Sequence, residues 1–210
     1  DEAVKQAEEA EKGLVILSDT GDSVYGGAPG DSTCILRALV EGNISKPALV
    51  PLLDPIALGQ AAEAGVGSRV TLRVGARHDN VFSRPVEISG VVAAVSEGLV
   101  ANLPNYGMAE LGRTALIEIN NVKLVLMAKV GVAINQPILY THLGLDVSEA
   151  KMVVVKTASN FQFFERWRKK LIRVDSPGMT QSDLKAFTWE HLPRPIHPLD
   201  QLESWGPGQG

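Results

Sequence analysis

The chain has 210 residues, enough for one domain with a sizeable core, or one domain with a small subdomain. Its 45% hydrophobic and 21% charged residues are ordinary for a globular protein, and a net charge of −4 argues against non-specific binding to nucleic acid. No apolar run is long enough to cross a bilayer and no signal peptide opens the chain; with Cys34 as the single cysteine, no internal disulfide is possible, and a cytoplasmic protein away from membranes is expected.

Residues 1–13, rich in Ala, Glu and Lys, read as a helix that packs lightly or links to a missing N-terminal domain. The absence of an initiator methionine fits an excised fragment, and a processed chain would look the same. Leu14 to Leu17 form the short apolar run of a buried strand. A polar, glycine-rich loop follows from Ser18 to Gly30. A helix then opens at Asp31, with Ser32 and Thr33 as further capping candidates, and Gly42 with Asn43 stops it. Ala48 to Leu53 is a second apolar strand. Asp54 caps and Pro55 opens a helix that runs to Ala64. This order is a parallel α/β pattern.

The middle of the chain changes character. Arg69 to Val74 alternates as a half-exposed strand, and Val86 to Val95, Thr114 to Ile119 and Val122 to Val130 read as further strands without helices between them. Asn120-Asn121 is a hairpin signal. A β-rich insertion or subdomain is therefore expected over about 68–133. The α/β pattern resumes with a short helix from Ile138, a buried strand at Met152 to Val155, a helix over Phe161 to Lys170 and a strand at Leu171 to Val174. Ser176-Pro177-Gly178 is a turn. From Met179 the chain is irregular, and Trp205 to Gly210, within a tail at 201–210, are expected to fray. The fold class is α/β: a mixed sheet with flanking helices plus the antiparallel β-rich insertion.

Several chemistries compete for the central loop. A phosphate-binding P-loop needs a lysine before the serine, but Asp31 precedes Ser32 and would repel phosphate. Asp19-Thr20-Gly21 would suit an aspartic peptidase only as a homodimer, because one copy exists. Gly21-Asp22-Ser23 matches an esterase block, but the Asp-x-x-His that would complete it is missing. The three carboxylates Asp19, Asp22 and Asp31 lack the spacing of a calcium loop. Two further readings stand beside the homodimeric peptidase. One is a structural loop with Asx turns and caps. The other is recognition of a carbonyl or anion by loop N–H groups, with Gly26, Gly27 and Gly30 permitting close approach.

Lys156 ends a buried strand, and Thr157, Ser159 and Asn160 follow it. Ligands of open α/β sheets bind beyond the carboxyl ends of strands, so Lys156 either offers charge to a carboxylate or oxyanion or is a solvated lysine. His78 with Asp79 follows a strand end. His142, His191 and His197 are scattered and form no H-x-x-x-H pair, so no complete zinc site is expected within the chain. Phe161 to Lys170 carries a basic tail, read as a solvated helix end. Cys34 reads as a structural thiol.

The stretch SDTGDSVYGGAPGDST, Ser18 to Thr33, resembles the signature of the C-terminal domain of microcystinase C (MlrC-like) metallopeptidases. Further blocks agree in order: AGVGSRVTLRVGARHD (Ala64 to Asp79), HLGLD (His142 to Asp146), VVVKTASNF (Val153 to Phe161), VDSPGMTQSDL (Val174 to Leu184) and RPIHPLD (Arg194 to Asp200). The similarity covers residues 14–200 almost entirely. It implies a two-domain zinc hydrolase that cleaves peptides, with its zinc ligands in an N-terminal domain and no cofactor in this chain. The implied partners are that catalytic domain of the same parent chain and a peptide or small-molecule substrate. Candidate substrate-binding residues are Asp19, Asp22, Gly26, Gly27, Gly30, Asp31, Ser32, Thr33, His78, Lys156 and Asn160. Relatives often carry His-Phe where this chain has Asn160-Phe161, and an amide cannot shuttle a proton at neutral pH. The alternatives are a non-catalytic module that binds a small anion or a protein, and the homodimeric aspartic peptidase using Asp19.

Overall fold

The Leu14 run is a fully buried strand, β1 (Leu14–Asp19), near one edge of a single large sheet. The computed structural model describes residues 1–103 and 106–202, so the expectation for Trp205 to Gly210 lies outside the described residues. Before β1 comes α1 (Glu2–Glu9). After it come α2 (Cys34–Glu41), β2 (Ala48–Leu53), α3 (Pro55–Ala64), β3 (Arg69–Val74), β4 (Val86–Ser96), β5 (Val100–Leu103), β6 (Gly107–Glu110), β7 (Thr114–Ile119) and β8 (Val122–Met127). The last elements are α4 (Ile138–Thr141), β9 (Met152–Val155) and β10 (Arg168–Val174).

The eight-stranded sheet has the order β10-β1-β9-β2-β8-β7-β4-β3. From β10 to β8 the neighbours are parallel, and from β8 to β3 they are antiparallel. The chain is thus α/β with a mixed sheet. The strands of 68–133 do not stand apart. β8 lies in parallel register with β2, Ala48 opposite Val122 and Leu53 opposite Met127, so the antiparallel run continues the α/β sheet. Among the described residues only the small β5–β6 hairpin, which hydrophobic patterning did not signal, forms a sheet of its own.

Alternation along the strands sorts the core into two layers. Val15 and Leu17 face α1, α2 and α3, where they pack with Leu36, Leu39, Ala57 and Leu58. Leu14 and Ile16 face the other way, toward Leu139, Tyr140 and Phe164. Interior strands covered on both faces must be apolar throughout, which explains the unbroken runs of β1, β2 and β9. β3, at the far edge, alternates exposed and buried residues as its sequence predicts.

Several boundaries differ from the sequence reading: β8 ends at Met127 rather than Val130, α1 ends at Glu9, and two further differences have a clear cause. The helix over Phe161 to Lys170 is a 3₁₀ turn at Gln162–Trp167 followed by β10. Pairing of Arg168–Val174 with β1 overrides helical propensity, and the basic residues lie on an edge strand, where charge discourages further strand addition. α2 begins at Cys34, three residues after Asp31, because the side chains of Asp31 and Thr33 bond elsewhere. No described helix is long and apolar enough to cross a membrane.

Asp54 caps α3 through Ala57 N–H at 2.9 Å, accepts Gly75 N–H at 2.8 Å and pairs with Arg77 at 2.9 Å, all while fully buried. Asp54→Ala removes the cap and leaves a buried amide and a guanidinium unpaired. We expect a loss of about 2–4 kcal/mol, read as a lower urea midpoint at unchanged m.

Candidate functional site

β1 and β9 lie side by side in parallel, so their carboxyl ends emerge together. Asp19 closes β1, and Lys156 directly follows β9. The Lys156 ammonium lies 3.0 Å from Asp19 Oδ2 and 2.9 Å from Asp22 Oδ2, and donates to Ser32 O at 2.8 Å. An ammonium has three protons, and all three have acceptors. Lys156, Asp19 and Asp22 are at most 2% exposed. The backbone of Lys156 is gripped as well: its N–H donates to Asn135 Oδ1 at 2.6 Å, and its C=O accepts from Asn135 Nδ2 at 3.1 Å and Val24 N–H at 3.1 Å.

The loop closes on this ammonium through Asp22. Its two oxygens accept Gly30 N–H and Ser32 N–H, each at 2.8 Å. Gly30 has φ +82°, and a Cβ there would press on Val24, Ile134 and Val130. A second segment straps the loop from outside. Ser176 Oγ donates to Asp19 Oδ1, and Thr180 Oγ1 donates to Thr20 O while accepting Ser23 N–H, both at 2.9 Å. The strap lies backbone on backbone: a Cβ on Gly178 would come within 2.0 Å of Gly21 O, and one on Gly21 within 2.1 Å of Ser176 O.

Most of the loop amides are therefore engaged within the chain. Gly26 N–H and Ala28 N–H go to Ser23 O, Gly27 N–H to Val24 O, and Thr33 N–H to Ser83 Oγ. Asp22 occupies the position that an external anion would take. Asp31 faces away from Lys156. Its Oδ2 accepts the Arg77 and His78 N–H groups at 2.7 and 3.0 Å and lies 2.9 Å from His78 Nδ1. Thr33 Oγ1 donates to Arg84 O. Gly26 and Gly27 belong to an exposed turn, and Asn160 is half-buried with its N–H on Thr157 Oγ1. Asp19, Asp22, Gly30, Ser32 and Lys156 thus come together, and Asp31 with His78 forms a second centre. Gly26, Gly27, Thr33 and Asn160 join neither.

Burial acts against the Lys156 charge, but Asp22 and Asp19 outweigh it and hold the ammonium above its ordinary value of 10.5. Burial likewise acts to raise the Asp22 carboxyl, yet Lys156 and the Ser32 and Gly30 amides hold it below 3.8. Burial, and then Asp19, pushes the Cys34 thiol up, which suits an inert side chain. An ion-paired Asp19 under Ser176 leaves no carboxyl to share a proton across a dimer, as an aspartic peptidase requires. A cavity of about 410 Å³ beside the α2 start is lined by Cys34, Arg37, Val81, Phe82 and Arg84, among others. Among the described residues no group of three or more His, Cys, Asp or Glu is placed to hold a metal ion. Zinc does not fit these residues, since Lys156 already engages Asp19 and Asp22.

Sequence reasoning missed Asn135, Ser176 and Thr180. The last two lie in the block VDSPGMTQSDL, whose Ser-Pro-Gly turn was a visible signal. Nothing local pointed to Asn135.

Residues 17–191 match the family described as MlrC C-terminus. Microcystinase C from Sphingomonas sp. is 27% identical over 154 residues, which is 73% of this chain and 29% of that protein. The crystal structure of a candidate metallopeptidase from Mesorhizobium sp. BNC1 superposes with a TM-score of 0.85 at 28% identity, over 98% of this chain and 41% of that one. The chain therefore spans less than half the length of either relative.

Lys156→Met strands two buried carboxylates and should cost about 3–5 kcal/mol at neutral pH. The lowered Asp22 carboxyl stabilises the fold fully above about pH 4, and that contribution fades as pH falls through its folded value. The raised Lys156 ammonium contributes fully below about pH 10, and is lost as pH rises through its folded value. Urea midpoints against pH should show a plateau between these limits. The gap between wild type and Lys156→Met should begin to narrow above about pH 4, because buried carboxylates without Lys156 protonate above the ordinary carboxylate range, and narrow further below about pH 4 as wild type loses the Asp22 contribution.

Proposed function

The chain belongs to the MlrC C-terminus family, and from that membership we propose that it is the non-metal domain of a zinc-dependent peptidase, forming substrate contacts and the interface with a separate catalytic domain. The observation that carries this reading is the pairing of a family match across residues 17–191 with a share of only 29% of microcystinase C. That relative is named for acting on microcystin, and the Mesorhizobium relative is called a metallopeptidase. A peptide is the substrate class to which both names point.

In this reading the residues divide their work. Lys156, Asp19 and Asp22 fix the loop's shape from within, because a saturated buried ammonium has no lone pair to attack with and no proton to spare. Contacts with a substrate or with the catalytic domain then come from exposed groups of the same edge: the Tyr25–Gly27 turn, the Asn160 region and the half-exposed His78 ring. The zinc supplies its Lewis acidity from the other domain.

The purified chain should fold, with cooperative thermal unfolding, and hydrolyse no linear peptide. The parent polypeptide, including its upstream region, should hydrolyse such a peptide and lose that activity to a chelator. Peptide hydrolysis with bound zinc in this chain alone would overturn the assignment.

A further inference from the structure

The turn after β3 is held from several sides. Gly75 N–H goes to Asp54 Oδ2 at 2.8 Å and Ala76 N–H to Asp31 O at 2.8 Å, while Asp31 Oδ2 takes the next two amides. Gly75 has φ +74°, and Ala76, which has a Cβ, sits at φ +48°. Left-handed backbone at a non-glycine residue persists only where its surroundings over-determine it. A Cβ on Gly75 would lie 2.3 Å from Thr33 Cγ2 and 2.8 Å from Asp31 O, so the turn is also jammed against the central loop.

The turn ends by presenting one ring. A carboxylate can only accept, so the His78 nitrogen 2.9 Å from Asp31 Oδ2 is Nδ1–H donating, and the neutral ring keeps its lone pair on Nε2. Asp31 is 2% exposed and the His78 side chain 50% exposed. Nε2 has no hydrogen-bond partner among the described residues. His142 is a contrast: Nδ1 lies on Ile138 O and Nε2 on Thr114 Oγ1, so both nitrogens are engaged. A buried carboxylate behind an imidazole whose far nitrogen is open is the arrangement that fixes tautomer and orientation for proton transfer. The other charged groups near the ring are occupied. Arg77 turns to Asp54, and Asp79 Oδ1 accepts the Val81 and Phe82 amides.

We propose that His78 passes protons to and from a bound peptide and that Asp31 is its positioning residue, an assignment that rests on the peptidase-domain reading above. Nε2 takes a proton from water as the water oxygen bonds to the scissile carbonyl carbon. The same proton then goes to the amine nitrogen as the C–N bond breaks, and the ring returns to neutral. Water is the only co-reactant, and acid and amine are the products.

The test uses the full parent polypeptide and a linear peptide. His78→Ala and His78→Gln should each lower kcat about 100- to 10,000-fold, with KM and melting temperature little changed, and remove one limb of the kcat/KM–pH profile. In spectra of the same polypeptide with ¹⁵N-labelled histidine, His78 should carry its neutral-state proton on Nδ1, and Asp31→Asn should convert that to a tautomer mixture. Wild-type kcat and pH profile in both His78 variants would overturn the catalytic role, and a proton on Nε2 would overturn the positioning role. A parent polypeptide that cleaves no peptide removes the peptidase-domain reading, and the catalytic role with it; the spectra then still decide the dyad.

Discussion

Lys156 carries a full charge into a place that water does not reach. The cost of desolvating an ammonium is several kcal/mol, and it is offset only where acceptors stand at hydrogen-bond distance in the right directions. Here those acceptors are Asp19, Asp22 and Ser32 O, contributed by the end of one strand and by two points of the following loop. Each is constrained in turn. Asp19 is held by Ser176, Asp22 by two loop amides, and Lys156 itself by reciprocal bonds with Asn135. Moving Asp19, Asp22 or Lys156 away from the cluster would strand a buried charge, which strongly favours this loop conformation.

That constraint explains how a thirteen-residue stretch from Ser18 to Gly30 can be ordered between a strand and a helix. Its glycines serve the loop's own fold. They let the chain fold tightly enough for Asp22 to reach its own loop's donors. Gly21 and Gly178 then let the 176–180 strap lie directly on the loop, since a side chain at either position would collide with backbone. Donors that could bind an outside anion are satisfied by an internal one. The loop is rigid for the same reason that it is closed.

Asp31 shows what the rigid loop can present. One residue after Gly30, whose N–H is bonded to Asp22, the carboxylate of Asp31 points the other way and holds the Arg77-His78 turn. Ser32, next in line, returns to Lys156 through its carbonyl. Three consecutive residues thus connect the buried ion cluster to a half-exposed imidazole. Such a half-exposed ring stands on a turn that several buried bonds hold in place.

Local pattern determined a great deal by itself. The apolar runs of β1, β2 and β9 could only be buried strands, Asp54-Pro55 marked the start of α3, the alternation at Arg69 to Val74 marked a half-exposed strand, and the six blocks from Ser18 to Asp200 carried the family. These features depend on neighbours in sequence, where periodicity and capping operate. Tertiary structure decided what the polar residues do. Asp19 and Lys156 are 137 positions apart, Asp31 and His78 47 apart, and Asp19 and Ser176 157 apart. Only strand order brings each pair together, and no periodicity encodes it. The same holds for Arg168–Val174, where pairing with β1 overrode a helical pattern, and for 68–133, where register with β2 drew an apparent insertion into the common sheet. Whether a charge is solvated or enclosed follows from what the chain packs over it, and that is a property of the fold rather than of the residue.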